Sequence, residues 1–327
     1  MRKALIVGID EYEEPYQLTC CVNDVNSIYD LLAFNSDGTR NFSIIKRINK
    51  EATYDQIMED LDKVFSDDSD ISLFYFSGHG FDDRNDGKIC TIDYASNHMG
   101  IRFRDIIELI GQKKCKNKII ILDCCHSGKM GNFSIIGDQT ILSHGTTILT
   151  ACNANEYAVE INGHGIFTNL LIAALQGGAA DIFGNVTPGS IYSYIDSSLG
   201  AFDQRPLFKS HVSSFVSLRR AHEKMTILEI RELISLFEHS EIKYKLDPSY
   251  EETNFPGSER IGKADLKKPY CTPENIKIFK LLQKATSNGL VKPSNEQHMF
   301  YAAMNFDTCE LTMLGKHYWY MVNNELI

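Results

Sequence analysis

The chain has 327 residues, 43% of them hydrophobic, and a formal net charge of −10 at pH 7. This length predicts one large domain or two smaller ones, and the apolar content is sufficient for a packed core. The negative charge argues against non-specific nucleic-acid binding by the whole chain. The first apolar run ends before Asp10, too soon for a signal peptide or a membrane span, so we expect a soluble, cytoplasmic protein without membrane association. In the cytoplasm, the nine cysteines are expected to be reduced thiols.

The predicted elements alternate between strands and helices up to Leu218. Buried or half-buried strands are predicted at residues 3–9, 42–48, 71–76, 88–92, 119–122, 146–150 and 215–218. Helices are predicted from residue 23 and at residues 53–65, 102–112, 167–176 and 187–198, where apolar residues recur at helical spacing. Such an alternation predicts an α/β domain over residues 1–220, with a mostly parallel sheet and helices on both faces.

Two of the predicted strands end in residues that carry chemistry. The apolar run Ile119 to Leu122 is followed at once by Asp123 to Gly128, with the sequence DCCHSG. The run Ile71 to Phe76 is followed by Ser77 to Gly80, with the sequence SGHG. Open α/β sheets place ligands at the carboxyl ends of their strands. If the two strands are neighbours, about 4.8 Å apart, a cysteine and a histidine face one substrate bond, as in Cys-His nucleophilic sites.

The cysteine pair and three histidines leave alternatives. Cys124 continues the apolar run and is interpreted as an inert core thiol, whereas Cys125 follows the run and is interpreted as the nucleophile. A zinc site is disfavoured, because Cys124, Cys125 and His126 are adjacent and cannot all turn inward with ligand spacing. His79 is the preferred base, since its strand-end position mirrors that of Cys125. His164 lies between glycines and is interpreted as a surface histidine.

Together, the two motifs resemble those of caspase-like cysteine peptidases, in particular metacaspases and their bacterial relatives. His79 and Cys125 are 46 residues apart, and the resemblance extends from Ala4 to about Leu218, including residues 163–168 and 204–206. It implies a caspase fold and peptidase activity, with His79 as base and Cys125 as nucleophile. The backbone N–H groups of Gly80 and Cys125 are then expected to hold the oxyanion.

The resemblance also bears on specificity. The segment Cys21 to Asp24 resembles a metacaspase segment whose aspartate lines the pocket for the residue before the cut, and Asp123 matches a second pocket carboxylate. We therefore expect Asp24 and Asp123, with Cys21 and Ser77, to bind the substrate. Two carboxylates favour Arg or Lys by charge pairing. The alternative is that Asp24 only stabilises the positive end of a helix dipole.

Calcium is a third question raised by the resemblance, because many metacaspases require it. The aspartates 82, 83, 86 and 93 offer oxygen atoms. However, Asn132 stands where metacaspases place an acidic ligand after the cysteine. We interpret the aspartates as solvated turn residues and expect no metal or other cofactor.

The loop Lys129 to His144 follows the nucleophile and contains glycines. In relatives this region is where the chain is cut during activation. Cleavage after Lys129 is therefore a hypothesis for this chain.

The sequence changes character after Arg220. Residues 221–272 are predicted to be a helix, near 225–238, and an irregular linker rich in proline and glycine. Residues 273–327 are predicted to be a small α+β domain, with a helix from Pro273, a hairpin around Asp307 and a helix from Thr312. The strand-to-helix step near Leu311 resembles that of winged-helix modules, and its aromatic residues 318–320 are expected to be partly buried.

Three functions remain open on the sequence. The first is a cysteine endopeptidase with Arg or Lys preference, which by analogy with bacterial relatives acts in defence or regulated cell death. The second is a non-enzymatic caspase-like scaffold that binds a protein partner through residues 273–327. The third is a DNA-binding regulator, which is disfavoured because the lysines of the tail are interspersed with acids.

Overall fold

The computed structural model describes residues 1–82, 87–94, 100–126, 141–151, 160–161, 163–200, 205–257 and 266–327, and for residues 82, 125, 126, 160 and 161 the backbone alone. It divides into two compact units, Met1–His222 and Glu223–Ile327. No helix in these described ranges combines the length and the hydropathy needed to cross a membrane.

The first unit alternates strands and helices. Its strands are β1 (Arg2–Gly8), β2 (Ser43–Ile48), β3 (Ile71–Asp82), β4 (Gly87–Ile89), β5 (Ile101–Arg102), β6 (Asn117–His126), β7 (Thr146–Thr150), β8 (Glu160–Ile161), β9 (His164–Gly165), β10 (Asn185–Val186), β11 (Leu207–His211) and β12 (Arg219–Arg220). Its α-helices are α1 (Cys21–Ala33), α2 (Tyr54–Val64), α3 (Phe103–Gly111), α4 (Ile166–Ala173) and α5 (Pro188–Ser198), with a 3₁₀ turn at Asn49–Glu51 and a π turn at Ala174–Gly178.

A mostly parallel sheet organises this unit, as predicted. Among the described residues the strand order is β11-β7-β6-β3-β1-β2, with β4 and β5 attached beside β3. Strands β1, β2, β3, β6 and β7 pair in parallel. The edge strand β11 pairs antiparallel to β7. The strand predicted at residues 215–218 is wrong, because residues 215–217 are irregular and the edge position belongs to β11.

Helices cover both faces of the sheet, and this also confirms the prediction. Phe74 and Phe76 of β3 point to one face, where they pack with the buried side chains of α2 and α3. Leu73 and Tyr75 point to the other face and pack with α1, α4 and α5. Burial on both faces explains why the strand appears in the sequence as a continuous apolar run rather than an alternating one.

The second unit contains α6 (Ile227–Ser235), β13 (Lys243–Lys245), α7 (Pro273–Ser287), β14 (Val291–Pro293), α8 (Met299–Met304), β15 (Thr308–Leu311) and α9 (Met313–Asn323), with a 3₁₀ turn at Pro248–Tyr250. Its strands form an antiparallel sheet in the order β13-β15-β14. Residues 223–257, predicted to belong to a helix and linker, lie within this unit.

Two further expectations for the second unit differ from the structure. Instead of a hairpin around Asp307, α8 separates β14 from β15. Of the three aromatic residues expected to be partly buried, Tyr318 and Trp319 are half-buried as expected, and Trp319 donates from Nε1 to the Phe237 carbonyl at 2.8 Å. Tyr320 is 55% exposed, so it does not belong to the core. The predicted helix after Thr312 is confirmed, since the Thr312 hydroxyl accepts from the Gly315 N–H and caps α9.

Candidate active site

The histidine strand and the cysteine strand are adjacent and parallel. The register of β3 and β6 pairs Ser77 with Asp123, Gly78 with Cys124, and His79 with Cys125. The two sequence motifs thus meet at the carboxyl edge of the sheet, as the sequence predicts. Their meeting follows from the two apolar runs, which pair residue by residue before the motifs begin.

His79 is buried and held by two tyrosines. Its Nε2 lies 2.7 Å from the backbone carbonyl of Tyr16. A carbonyl only accepts, so the proton is on Nε2 and Nδ1 is the nitrogen able to receive one. The Tyr12 ring lies 4.7 Å from the imidazole, centroid to centroid, and its hydroxyl accepts from the His79 backbone N–H at 3.1 Å. The sequence offered no third residue to orient His79, and the Tyr16 carbonyl takes that position.

The loop that carries both tyrosines is anchored at its base. The two oxygens of Asp10 accept from the N–H groups of Cys21 and Val22 at 2.8 and 3.0 Å, which caps the first turn of α1. The Asn49 Oδ1 accepts from the N–H groups of Asp10 and Glu11. These contacts anchor the loop to α1 and to the 3₁₀ turn that begins at Asn49, and so hold the Tyr16 carbonyl in position against His79.

The glycines beside His79 are explained by close approach. A Cβ on Gly78 would lie 2.6 Å from the Tyr12 hydroxyl, and a Cβ on Gly80 would lie 2.9 Å from the Cys124 Cβ. Both distances are shorter than real Cβ contacts. Cys124 itself is fully buried in the core beside α2 and α3, in agreement with its interpretation as a core thiol.

For Cys125 and His126 the structure describes the backbone only, so their predicted side-chain roles stay predictions. The same holds for the oxyanion contacts of Gly80 and Cys125. Lys129 and the predicted cleavage region up to residue 140, together with Asn132, lie outside the described residues.

Asp24 is a buried carboxyl in the first turn of α1 and is 1% exposed. Asp10, not Asp24, accepts from N–H groups of that turn, and the alternative that Asp24 stabilises the helix dipole stays a prediction. The Ser77 hydroxyl donates to Asp24 Oδ2 at 2.9 Å. The Nδ1 of His164 lies 2.7 Å from Asp24 Oδ1. The interpretation of His164 as a surface histidine is therefore wrong, because its side chain is only 14% exposed and bonds a buried acid.

Asp123 is the second buried carboxyl at this edge. The Thr168 hydroxyl donates to its Oδ2 at 2.6 Å, and the Tyr75 hydroxyl lies 2.6 Å from the same Thr168 oxygen. Since the Thr168 proton goes to Asp123, Tyr75 is the donor to Thr168. This chain of hydroxyls from α4 and β3 fixes the orientation of the Asp123 carboxyl.

Burial controls the protonation of these groups. Burial, and then the nearby charge of Asp123, raise the pKa of Asp24 to about 9. Burial also raises the pKa of Asp123, against the effect of the Thr168 hydrogen bonds. Burial lowers the pKa of His164. All three shifts favour uncharged forms, so one proton is shared between Asp24 and His164 at neutral pH. A cation placed between the carboxyls would favour their ionised forms.

The Cys21 side chain bonds Ser77, the residue whose hydroxyl donates to Asp24. Cys21 is buried, and its hydrogen bond with Cys20, together with burial, raises the pKa of its thiol. A thiol with a raised pKa is a poor nucleophile at neutral pH. Cys21 is therefore suited to line a pocket and not to attack a substrate.

Metal ligands are not brought together in the part of the chain that the structure describes. Within it, no group of three or more His, Cys, Asp and Glu residues is arranged to hold a metal ion. Asp93 of the proposed calcium cluster accepts from the Tyr54 N–H at 3.1 Å, at the beginning of α2. Asp83 and Asp86, and the side chain of Asp82, lie outside the described residues. The absence of a cofactor stays a prediction.

The sheet, its two helix layers and the paired motifs define a caspase-like cysteine peptidase domain. In agreement, residues 1–216 match the family model of the caspase domain of peptidase family C14, and the chain belongs to this family. No curated protein matches the chain. Among solved structures, protein GSU0716 from Geobacter sulfurreducens is 16% identical, with a TM-score of 0.49, and the match covers 68% of this chain and 98% of that chain.

The structure adds site residues that the sequence argument did not select. Tyr16 acts through a backbone carbonyl, which leaves no side-chain signature. In the sequence, Thr168 stands out only as part of segment 163–168, which resembles the caspase-like family. His164 is a candidate from the sequence, but its partner Asp24 lies 140 residues away in the chain, and no local pattern connects them.

Proposed function

We propose that this chain is a cysteine endopeptidase that cleaves proteins after Arg or Lys, with Cys125 as nucleophile and His79 as base. The observation that carries the proposal is the register of β3 and β6, which pairs His79 with Cys125 two residues beyond the pair Ser77 and Asp123. The family match supports cysteine peptidase chemistry in general.

The proposed reaction begins with transfer of the Cys125 thiol proton to Nδ1 of His79. The thiolate then forms a bond to the scissile carbonyl carbon, and the backbone N–H groups of Gly80 and Cys125 stabilise the oxyanion. As the C–N bond breaks, His79 returns its proton to the leaving amine. Water, deprotonated by His79, hydrolyses the thioester and restores the thiol. The Tyr16 carbonyl keeps Nδ1 directed to this task and stabilises the imidazolium.

The preference for a basic residue rests on Asp24 and Asp123. Both are almost fully buried and close enough for the charge of Asp123 to affect the pKa of Asp24. Their described partners are hydroxyls, one backbone N–H and one imidazole, and these do not neutralise the two negative charges that form when both carboxyls ionise. A guanidinium or ammonium group supplies the missing positive charge. Cys21 and Ser77 would complete the walls of the pocket.

The proposal is tested with fluorogenic peptides ending in Arg, Lys or Asp, with and without Ca²⁺. Wild-type protein is compared with Cys125→Ala and with Cys124→Ala as the matched control for the neighbouring thiol. We expect turnover of Arg and Lys peptides that is lost in Cys125→Ala and retained in Cys124→Ala. Cleavage of Asp peptides alone would contradict the basic pocket, and turnover by Cys125→Ala would contradict the nucleophile. Absence of turnover with every peptide would favour the alternative of a non-enzymatic scaffold.

For the second unit we propose a protein-binding role in preference to DNA binding. Six of its lysines form ion pairs with glutamates of the same unit: Lys243, Lys277, Lys280, Lys284, Lys292 and Lys316. Their charge is thus compensated, which weakens attraction to phosphates. The test is the affinity of the full chain for duplex DNA at two salt concentrations. A strong, salt-dependent affinity would contradict this proposal and favour a DNA-binding regulator.

A further inference from the structure

The short strand β9 lies against both carboxyls of the proposed specificity pocket. His164 bonds Asp24 Oδ1 at 2.7 Å, while a Cβ on the next residue, Gly165, would lie 3.2 Å from Asp123 Oδ2. Gly163 before it has a φ of +77° and its carbonyl accepts from the Asn23 side chain at 2.8 Å. One segment, fixed at α1 on one side and continuing into α4 on the other, thus covers the acidic pair.

The His164 imidazole bonds the Asp24 oxygen to which a substrate cation would bind. Asp24 Oδ2 is engaged by the Ser77 hydroxyl, and Oδ1 is engaged by His164. The Asp24 side chain is 1% exposed, whereas that of His164 is 14% exposed, so the ring is the outer member of the pair. With both groups uncharged, the Asp24 O–H at Oδ1 donates to the imidazole Nδ1, whereas a basic substrate group would donate to the ionised form of the same oxygen. Both therefore compete for Asp24 Oδ1.

Apart from Asp24, the described contacts of the ring are long. The Asn23 amide nitrogen lies 3.4 Å from each ring nitrogen, and the Ser27 hydroxyl lies 3.5 Å from Nε2. These distances are at the limit of hydrogen bonding, while the bond to Asp24 is short. A rotation of the His164 side chain therefore gives up one good hydrogen bond, and an incoming guanidinium replaces that bond with its own.

We propose that His164 caps the acidic pocket, and that the side chain of a substrate Arg or Lys displaces the imidazole before it pairs with Asp24. This inference rests on the proposed preference for basic residues and adds a residue that sets its strength. In the free enzyme the neutral imidazole accepts a hydrogen bond from Asp24 Oδ1 and so occupies that oxygen. Substrate side chains without a guanidinium or ammonium group do not displace the imidazole, so the pocket excludes them.

The test uses His164→Ala, with His222→Ala as a matched control at an exposed histidine. Propylguanidine, which carries the arginine head group, serves as the probe for the pocket. Without the competing hydrogen bond, the inhibition constant of propylguanidine and the KM of Arg peptides should fall about three- to tenfold, with kcat unchanged. The control should leave both constants at their wild-type values. An unchanged or larger inhibition constant in His164→Ala would overturn the cap.

Two measurements separate failure of the cap from failure of the proposed function. His164→Gln offers its side-chain amide oxygen as an acceptor for Asp24 and should bind propylguanidine as weakly as wild type, which also covers the case that the alanine variant does not fold. Nitrogen NMR of the imidazole in the Cys125→Ala protein should show loss of the Nδ1 hydrogen bond when propylguanidine is added, without any turnover. If propylguanidine binds and the Nδ1 hydrogen bond remains, the cap is overturned but the basic pocket is not. No binding to wild type or to His164→Ala overturns the basic pocket as well.

Discussion

Replacing Asp24 with asparagine should stabilise the free protein while abolishing cleavage after Arg. The asparagine has the same shape, so its oxygen can accept from Ser77 and its amide nitrogen can donate to His164, as the carboxyl contacts require. What is lost is the titration of the carboxyl. Its pKa in the folded protein is about 9, against about 4 in an unfolded chain.

The direction of the pH dependence follows from this difference. A pKa that is raised in the folded state contributes stability below pH 4, and that contribution is lost as the pH rises through 9. In this window, wild type should lose up to about 1.4 kcal/mol per pH unit relative to Asp24→Asn. Between pH 5 and pH 8 the three units correspond to at most about 4 kcal/mol. Because His164 contacts Asp24, the trend measures the titration of the pair and not of Asp24 alone.

The assay is urea denaturation of wild type and Asp24→Asn at pH 5, 6, 7 and 8. Asp30→Asn, an exposed aspartate on the same helix, is the control and should show no such trend. A difference in unfolding free energy that does not change with pH would refute the reasoning. A wild type that gains stability relative to the variant as the pH rises above 4 would show instead a charged Asp24–His164 pair.

Three other perturbations test the neighbouring contacts. Thr168→Val removes the hydroxyl that bonds Asp123, so the pKa of Asp123 should rise further and KM for Arg peptides should increase about tenfold, whereas Thr168→Ser should restore it. Tyr12→Phe leaves the His79 backbone N–H without its acceptor, so urea denaturation should show a loss of about 1–3 kcal/mol, and an unchanged midpoint would contradict that contact. For wild type, the inhibition constant of propylguanidine should fall up to tenfold per pH unit from pH 7 to about pH 9, because Asp24 must lose its proton to pair with a cation. An inhibition constant that does not change with pH would contradict this expectation.

Strong local patterns made the sheet and its functional edge predictable. At residues 71–76 and 119–122 every position except Ser72 is apolar or aromatic, because both faces of each strand are buried. Where burial is partial the signal fails. The edge strand β11 is only half-buried and has just two apolar residues, whereas the irregular residues Phe215 and Val216 are apolar because they pack beside other side chains. Long-range contacts, such as that of His164 with Asp24, leave no periodic trace.

The buried aspartates of this domain differ in whether a cationic side chain of the protein pairs with them. Asp60 is fully buried on α2, and the Arg47 Nε lies 2.7 Å from its Oδ2, so a cation of the protein balances its charge. Asp24 and Asp123 are almost as buried, yet no lysine or arginine in the described ranges pairs with either of them. Two neighbouring carboxyls without a cation destabilise a fold whenever they ionise. A purely structural site would gain from an arginine or from amides at these positions. The arrangement therefore supports the proposed binding of an external cation. The stability trend of Asp24→Asn tests the cost of the buried acids, and the binding of propylguanidine tests the cation.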